Sequence, residues 1–496
     1  MPAPDTCDPS ARLSLVRLTD VRALRLRGSR AHTCHELRRA CLWRRQIVHD
    51  VPLAPAVGSL KMRSVHASYV ETRVDELGLL RRRNASDPPA PSQYSSCVPL
   101  VWLPVWGYNI GEFFQNSVLA VAELLAAGVV DREVMLTPEV GGWPLRDYQM
   151  QMLRAFSSHP VKTMAQLAPS NCPASSSARQ QSQACAQPRC FERLLLCRFR
   201  DVYDHEHPIA PWHAARRIVA SLRLGYRRSA WLVNGVYKQE ATRAAATSAA
   251  APYAVLFASR ANAKNGARQL TNEAELVSRC SRWVPSPRCV VGTNGDSDVV
   301  KCSPRVFGQH GFRADVAAVQ EADVLVGTHG AALVHALFMR RGGALIEVRP
   351  YGFNGRCTAA RLERLLYTAH KRGQRTLPTT AWCSSLATAG PDQYHFAMAR
   401  QQNVTHAFVI RTLDRTLCES AHTNGVPPAN VSAWDARPLN TYVRVDAFDR
   451  ALAAAACTSG RGPASIPVRT LKRIPRHPDD PFEYGELHSA VVDNGP

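Results

Sequence analysis

The sequence is short of acidic residues and of long apolar runs. It carries 40 Asp and Glu against 61 Lys and Arg, which gives a formal net charge of +21 at pH 7. Such a charge attracts polyanions of any kind, whether nucleic acid, anionic glycan, membrane surface or phosphate-bearing ligand, and does not choose among them. The best apolar run, Ser117–Val130, is too short to span a membrane and contains Glu123. No membrane anchor or secretory signal is therefore visible in this sequence.

Cysteine pairs of the metal-binding kind are also missing. The 15 cysteines are scattered, with no CxxC that a second CxxC could join, so disulfides explain them more economically than a metal site. Glycosylation sequons at Asn84–Ser86, Asn403–Thr405 and Asn430–Ser432 suit a lumenal protein. We therefore expect the lumen of the secretory pathway, Golgi or endoplasmic reticulum. With no leader in view, either the true start precedes this sequence or targeting differs.

Several motifs of phosphate and metal chemistry are absent as well. There is no Gly-Lys-Ser phosphate loop and no GxSxG nucleophile turn. Asp296-Ser297-Asp298 has the DxD form that can hold a divalent metal, but its TNGDSD context is typical of a solvated turn. The run Asp204–His207 lacks a partner motif. We therefore predict no metal site and no cofactor.

The most informative segment is Glu321–Pro350, which reads as strand, glycine-bounded turn, helix, double-glycine turn and strand. Asp323–Val326 suits a buried parallel strand, and Gly330–Phe338 has a helical pattern. The turn between them brings Thr328, His329 and the first free N–H groups of the helix to the carboxyl end of the sheet. A phosphate gains there from hydrogen bonds and from the helix dipole, so a nucleotide-linked ligand fits.

The same segment carries a resemblance to a known family. GTHGAALVHALFM followed by GALIEVRP resembles the C-terminal signature of glycosyltransferase family 61. Upstream, Tyr253–Cys280 resembles the family's strand, serine-arginine pair, second arginine and asparagine-glutamate helix start. The resemblance extends over Pro99–Ala455 and is strongest after Tyr253. The family includes xylan pentosyltransferases and enzymes that add N-acetylglucosamine to protein O-mannose or to EGF-like domains.

The resemblance implies an α/β fold of the GT-B type, with two Rossmann-like domains whose parallel sheets face each other across a cleft. It also implies transfer of a sugar from a nucleotide-sugar donor, a UDP-sugar foremost, to a polysaccharide or glycoprotein acceptor. The reaction would invert the anomeric carbon and require no metal. Composition and element order predict a basic arm and linker at 1–96, domains at 97–245 and 252–457, and a flexible tail at 458–496. The resemblance implies that the first domain binds the acceptor and the second binds the donor.

Arginine and histidine side chains are the candidates for donor binding. Arg260 and Arg268 follow a strand and can clamp phosphate oxygens through their planar forks, or they can be surface charges. The family pattern has an arginine at both positions. His329 can donate to a diphosphate, or it can be a capping residue. Glu347 can accept from a ribose or sugar hydroxyl, or it can be a buried structural carboxylate. Thr328 and Gly330 complete the predicted donor site.

The acceptor side departs from the family pattern. In YNIGEFFQN, Asn109 matches the family's asparagine, but Glu112 and Asn116 stand where histidine and aspartate are expected. On a helix these two positions share one face, so we predict Glu112 as the general base with Asn116 beside it. The departures also permit altered chemistry, or a non-catalytic protein that binds nucleotide sugars or glycans. A nucleic-acid-binding protein remains the third reading, but no zinc finger or aromatic-basic strand supports it, and we expect no nucleic-acid partner.

Overall fold

The computed structural model describes residues 32–50, 57, 60–63, 71–85, 87, 89, 93–105, 107–168, 188–199, 211–224, 231–233, 236–238, 253–261, 268–284, 300–340, 343–350, 405–412, 418–419, 440–458 and 489–494. The chain divides into two compact units, Met1–Leu222 and Arg223–Pro496. This boundary lies inside the region 97–245 that the sequence suggested as one domain.

The first unit is built on a mixed six-stranded sheet with the order β5-β2-β1-β8-β6-β7. The strand β1 is antiparallel to β2 and β8, whereas β2–β5, β8–β6 and β6–β7 are parallel pairs. Two further strands, β3 and β4, form a separate antiparallel pair. The eight strands are β1 Thr33–Trp43, β2 Gln46–His49, β3 Lys61–Arg63, β4 Glu71–Arg73, β5 Leu80–Arg82, β6 Val98–Trp102, β7 Val134–Pro138 and β8 Arg189–Arg198.

This sheet corrects two expectations. The implied parallel sheet is only partly parallel here, because β1 and β2 are joined by a two-residue turn that forces an antiparallel pair. The region 1–96 is not an arm over its described residues from 33 to 82, since β1, β2 and β5 belong to the sheet. Leu37, Ala40 and Leu42 of β1 are buried in the core of this unit.

A long helical segment follows β6 in the first unit. Asn109 caps its start by accepting hydrogen bonds from the backbone N–H groups of Gly111 and Glu112. The middle of the segment is a π-helix whose six residues are all buried. The helices of this unit are α1 Ile110–Phe113, the π-helix Phe114–Leu119, α2 Ala120–Ala126, α3 Asp147–Arg154, α4 Met164–Leu167 and α5 Pro211–Ser221.

Disulfides connect secondary-structure elements in both units, as the cysteine pattern predicts. Cys34–Cys197 and Cys41–Cys190 join directly opposite positions of β1 and β8. Cys280–Cys302 joins a helix to a strand in the second unit. The first two bridges close long stretches of chain, with sequence separations of 163 and 149 residues.

The second unit contains a six-stranded sheet with the order β12-β11-β13-β14-β15-β18, and all its pairings are parallel. Alternation of strands and helices therefore predicts the sheet type correctly here. The strands are β9 Trp231–Val233, β10 Val236–Lys238, β11 Tyr253–Ala258, β12 Val300–Arg305, β13 Val324–Thr328, β14 Gly343–Arg349, β15 Thr405–Thr412, β16 Cys418–Glu419, β17 Asn440–Thr441 and β18 Ser489–Asn494. The helices are α6 Glu273–Ser281, α7 Phe312–Glu321, the 3-10 helix Ala331–Phe338 and α8 Val445–Thr458.

The core of the second unit lies between its sheet and α8. Alternate residues of the central strands, such as Val324 and Val326 of β13, pack with Phe448 and Leu452 of α8. The last strand, β18, pairs with β15 and so differs from the flexible tail expected at 458–496. None of the helices in the described ranges has the length and hydropathy needed to cross a membrane.

Candidate functional site

All six residues suggested for donor binding meet at one edge of the parallel sheet in the second unit. The strands β11, β13 and β14 are neighbours that run in the same direction, so their carboxyl ends share this edge. Register pairs Ala258 with Gly327, and Gly327 with Glu347. The residues gathered here are Arg260, Arg268, Thr328, His329, Gly330 and Glu347.

Three buried side chains at this edge of the sheet, His329, Glu347 and Arg349, are linked in a row by hydrogen bonds. His329 Nδ1 lies 2.5 Å from Glu347 Oε1, and Arg349 Nη2 donates to Glu347 Oε2 at 3.1 Å. Glu347 and Arg349 are 0% and 1% exposed. Because Glu347 engages Nδ1, proton exchange between His329 and a ligand has to use Nε2. Arg349 was not singled out in the sequence; it is the arginine of the GALIEVRP strand, where it reads as an ordinary strand residue.

Arg268 is held in an unusual backbone conformation beside His329. Its φ is 60°, a value that L-residues other than glycine rarely adopt. Its carbonyl accepts from Thr328 Oγ1 at 2.6 Å, and its Nη1 donates to the His329 carbonyl at 3.2 Å. The following residue, Gln269, is tied to Asn440 by a hydrogen bond from its N–H to Oδ1 at 2.8 Å. These contacts hold both the backbone and the side chain of Arg268 in place.

Arg260 lies against the backbone of Gly330. A Cβ placed on Gly330 would meet Arg260 Nη1 at 2.6 Å and Arg268 Nη1 at 3.8 Å, so both guanidinium groups converge on this glycine. Burial lowers the pKa of Arg260. An anion beside a partly buried guanidinium offsets this unfavourable desolvation. Gln269 steadies the same turn by donating from Nε2 to the Arg260 carbonyl at 3.1 Å.

The helix after the turn has a structural histidine of its own. His335 is 2% exposed, hydrogen bonds through Nδ1 to the Ala332 carbonyl at 2.8 Å, and stacks on Phe307 with ring centroids 4.2 Å apart. Burial lowers the pKa of His335 to about 4. It is therefore neutral at pH 7 and packs the 3-10 helix against Phe307.

The acceptor candidates lie together in the first unit. Asn116 Nδ2 donates to Glu112 Oε2 at 3.0 Å, so the two residues do share a helix face. Asn116 is buried within the π-helix, and Glu112 is half-buried. Tyr108, two residues before the helix, is 53% exposed. Partial burial, and after it the Glu112 carboxylate, raise the pKa of Tyr108.

Metal ligands do not gather in the described part of the chain. No group of three His, Cys, Asp or Glu side chains there could hold a metal ion. The triplet Asp296–Asp298 and the run Asp204–His207 lie outside the described residues.

The family assignment comes from comparison with known protein families. Residues 118–346 match the family model described as Glycosyltransferase 61. This match implies that the chain is a glycosyltransferase. Over these residues it is a member of glycosyltransferase family 61, as its signature suggested. No curated protein matches the chain.

The matched region covers most of the donor candidates and neither of the acceptor candidates. Glu112 and Asn116 precede residue 118, and Glu347 follows residue 346 directly. Arg260, Arg268 and the Thr328–Gly330 turn lie inside it. Family membership therefore bears on the donor side of the site more than on the base.

Proposed function

We propose that the chain transfers a sugar from a nucleotide-sugar donor to a polysaccharide or glycoprotein acceptor, with inversion at the anomeric carbon. The donor proposed first is a UDP-sugar. The convergence of Arg260 and Arg268 on Gly330, next to His329, carries the proposal. Two guanidinium groups within reach of one backbone turn suit the paired charges of a diphosphate, because each offers a planar fork to phosphate oxygens.

The leaving group defines what these residues have to do. As the bond between the anomeric carbon and the diphosphate oxygen breaks, its electron pair stays on the diphosphate. Arg260 and Arg268 stabilise that growing negative charge, and His329 Nε2 donates a hydrogen bond to it. Glu347 and Arg349 hold the imidazole in place through Nδ1. In this proposal the arginines supply the positive charge, and no metal ion is required.

The acceptor hydroxyl attacks the anomeric carbon from the opposite side and loses its proton to a base. Glu112 is our proposed base, and the amide of Asn116 orients its carboxylate. The oxygen of the acceptor forms the new glycosidic bond, and the proton ends on Glu112. The lumen of the secretory pathway is the proposed compartment, which the disulfides support.

Two glycine variants test the donor site. Gly330→Ala places a methyl group 2.6 Å from Arg260 Nη1 and must displace that guanidinium. Gly327→Ala instead places it 2.9 Å from the Ala258 Cβ, inside the packed sheet. We expect Gly330→Ala to raise the KM for the donor about tenfold or more with little loss of stability. Gly327→Ala should cost about 1–3 kcal/mol of stability.

The measurements are nucleotide release from a panel of nucleotide sugars, with and without chelator, and urea denaturation of each variant. Donor kinetics that are unchanged in folded Gly330→Ala would contradict the site. A folded native chain that binds a donor without hydrolysing or transferring it would favour the non-catalytic binder, the reading to which the Glu112 and Asn116 departures point.

A further inference from the structure

The arginine-rich stretch RRACLWRR is part of the first sheet. It forms the end of β1 and the turn into β2, and that turn consists of Arg44 and Arg45. Both have positive φ, 47° and 63°, and Arg39 nearby has a φ of 51°. A two-residue hairpin turn of this kind favours Asn and Gly, because a side chain at positive φ strains the backbone by about 1–3 kcal/mol. Three arginines at strained positions indicate that their side chains have a use.

The strained arginines point to different partners. Arg45 Nη2 donates to Glu139 Oε1 at 2.5 Å and so ties the turn to the segment after β7. The guanidinium of Arg44 lies 4.6 Å from the ring centroid of Trp43, and that of Arg39 lies 5.9 Å from the ring centroid of Tyr94. Arg39 and Arg44 are exposed.

Trp43 and Tyr94 belong to one small apolar cluster, which they form with Val48 and the Cys41–Cys190 bridge. We call the exposed side of this cluster the arginine–aromatic face; it consists of Arg39, Trp43, Arg44, Arg81 and Tyr94. The charge of Arg81 is balanced by Asp87, which accepts two hydrogen bonds from it at 2.5 and 2.7 Å.

The other two arginines of the face differ from Arg81 in their ion pairing. Within the described part of the chain, neither Arg39 nor Arg44 has a carboxylate within ion-pair distance. Their guanidinium groups are instead steadied over aromatic rings, which leaves the N–H forks for an anion.

We propose that the arginine–aromatic face binds an acidic glycan, a chain of sugars that bear carboxylate groups. Planar guanidinium groups match carboxylates in a bidentate geometry, and aromatic rings present apolar edges to the C–H groups of sugars. The disulfide beneath the face belongs to an oxidising compartment, which disfavours nucleic acid as the occupant. Binding by this face does not depend on turnover; only the further step, that the bound glycan is the acceptor, rests on the proposed function.

The test uses the full chain and a decamer of galacturonic acid, with its methyl ester as the uncharged probe. Arg39→Asn combined with Arg44→Asn removes two charges from the face, and Asn tolerates positive φ, so the fold is retained. Arg282→Asn combined with Lys301→Asn removes two charges from exposed positions of the second unit. We expect the native chain to bind the acid and not the ester, the face variant to bind it about tenfold more weakly, and the control variant to bind it as the native chain does.

Three results would overturn the inference. Equal losses in the two variants would show that net charge alone attracts the probe. No binding of the acid by the folded native chain would remove the site, and equally tight binding of single-stranded DNA of the same charge would show an unselective polyanion surface. The titration contains no nucleotide sugar, so its failure and the failure of the proposed transfer reaction are separate results.

Discussion

The donor-binding candidates show how far the local sequence predicts the position of a single residue. Thr328, His329 and Gly330 are contiguous, and a strand followed by a glycine-bounded turn predicts their place at the edge of the sheet. The pairing of His329 with Glu347 is different, because it depends on β13 and β14 being neighbours with Gly327 opposite Glu347. The arginine at positive φ is also hidden from the sequence, since nothing in the local pattern predicts strain at Arg268.

His335 gives a pH dependence of stability. Its pKa is lowered from 6.5 in the unfolded chain to about 4 in the folded one, so below pH 6.5 the unfolded state binds the proton first. Stability is therefore lost as pH falls from about 6.5 towards 4, by up to about 3 kcal/mol. Comparing urea denaturation of the native chain and His335→Phe across pH 4 to 7.5 isolates this contribution. A stability difference between the two that stays constant with pH would contradict it.

Secondary-structure elements were predictable where their burial pattern is plain. Tyr253–Ala258 and the β13 to β14 segment are apolar runs in a fully covered parallel sheet, and both form strands near the expected bounds. The strand β12, with the sequence VKCSPR, was missed because it is a partly exposed strand that contains a proline. The segment after Gly330 was expected as a helix and is one, but of the 3-10 type.

The strand β1 was not predicted from the sequence, for another reason. Its arginines read as a solvated arm, whereas its buried residues, Leu37, Ala40 and Leu42, do not alternate regularly around the strained Arg39. Only the pairing with β8, more than a hundred residues later, makes its strand character evident.

The two bridges between β1 and β8 predict unequal losses of stability. With Cys34–Cys197 intact, the loop that Cys41–Cys190 closes is limited to the short stretches 34–41 and 190–197. Cys41→Ser with Cys190→Ser should therefore cost about 3 kcal/mol in the chain-entropy account. Removal of all four cysteines also opens the loop of Cys34–Cys197, whose sequence separation is 163 residues, and should cost about 5 kcal/mol more. Urea denaturation of both variants measures their free energies of unfolding. Equal losses of stability would show that the Cys34–Cys197 bridge adds nothing.

At the scale of the whole molecule, the two units have separate cores and contain different candidate residues. The donor candidates all lie in Arg223–Pro496, and the proposed base lies in Met1–Leu222. The sequence indicated two domains with a boundary between residues 245 and 252, whereas the first compact unit ends at Leu222.

This division predicts that residues 223–496 alone bind the donor and do not glycosylate an acceptor. Calorimetric titration with the nucleotide sugar identified for the full chain measures donor binding. An assay of product formation measures glycosylation of the acceptor. The expected donor Kd is within about threefold of that of the full chain. Transfer by the isolated unit would exclude Glu112 as the base, and a folded unit without donor affinity would contradict the placement of the site.

The tie between Gln269 and the segment at Asn440 has a consequence for synthesis of the protein. Gln269 donates to Asn440 and accepts from the N–H of Thr441, residues that the ribosome adds about 170 positions later. The hydrogen bonds that hold Gln269, the neighbour of Arg268, therefore form only after Asn440 and Thr441 have been translated. Under the proposed function, a newly made chain cannot hold the donor until Asn440 has been translated, and fragments that end before Asn440 are expected not to compete for nucleotide sugar.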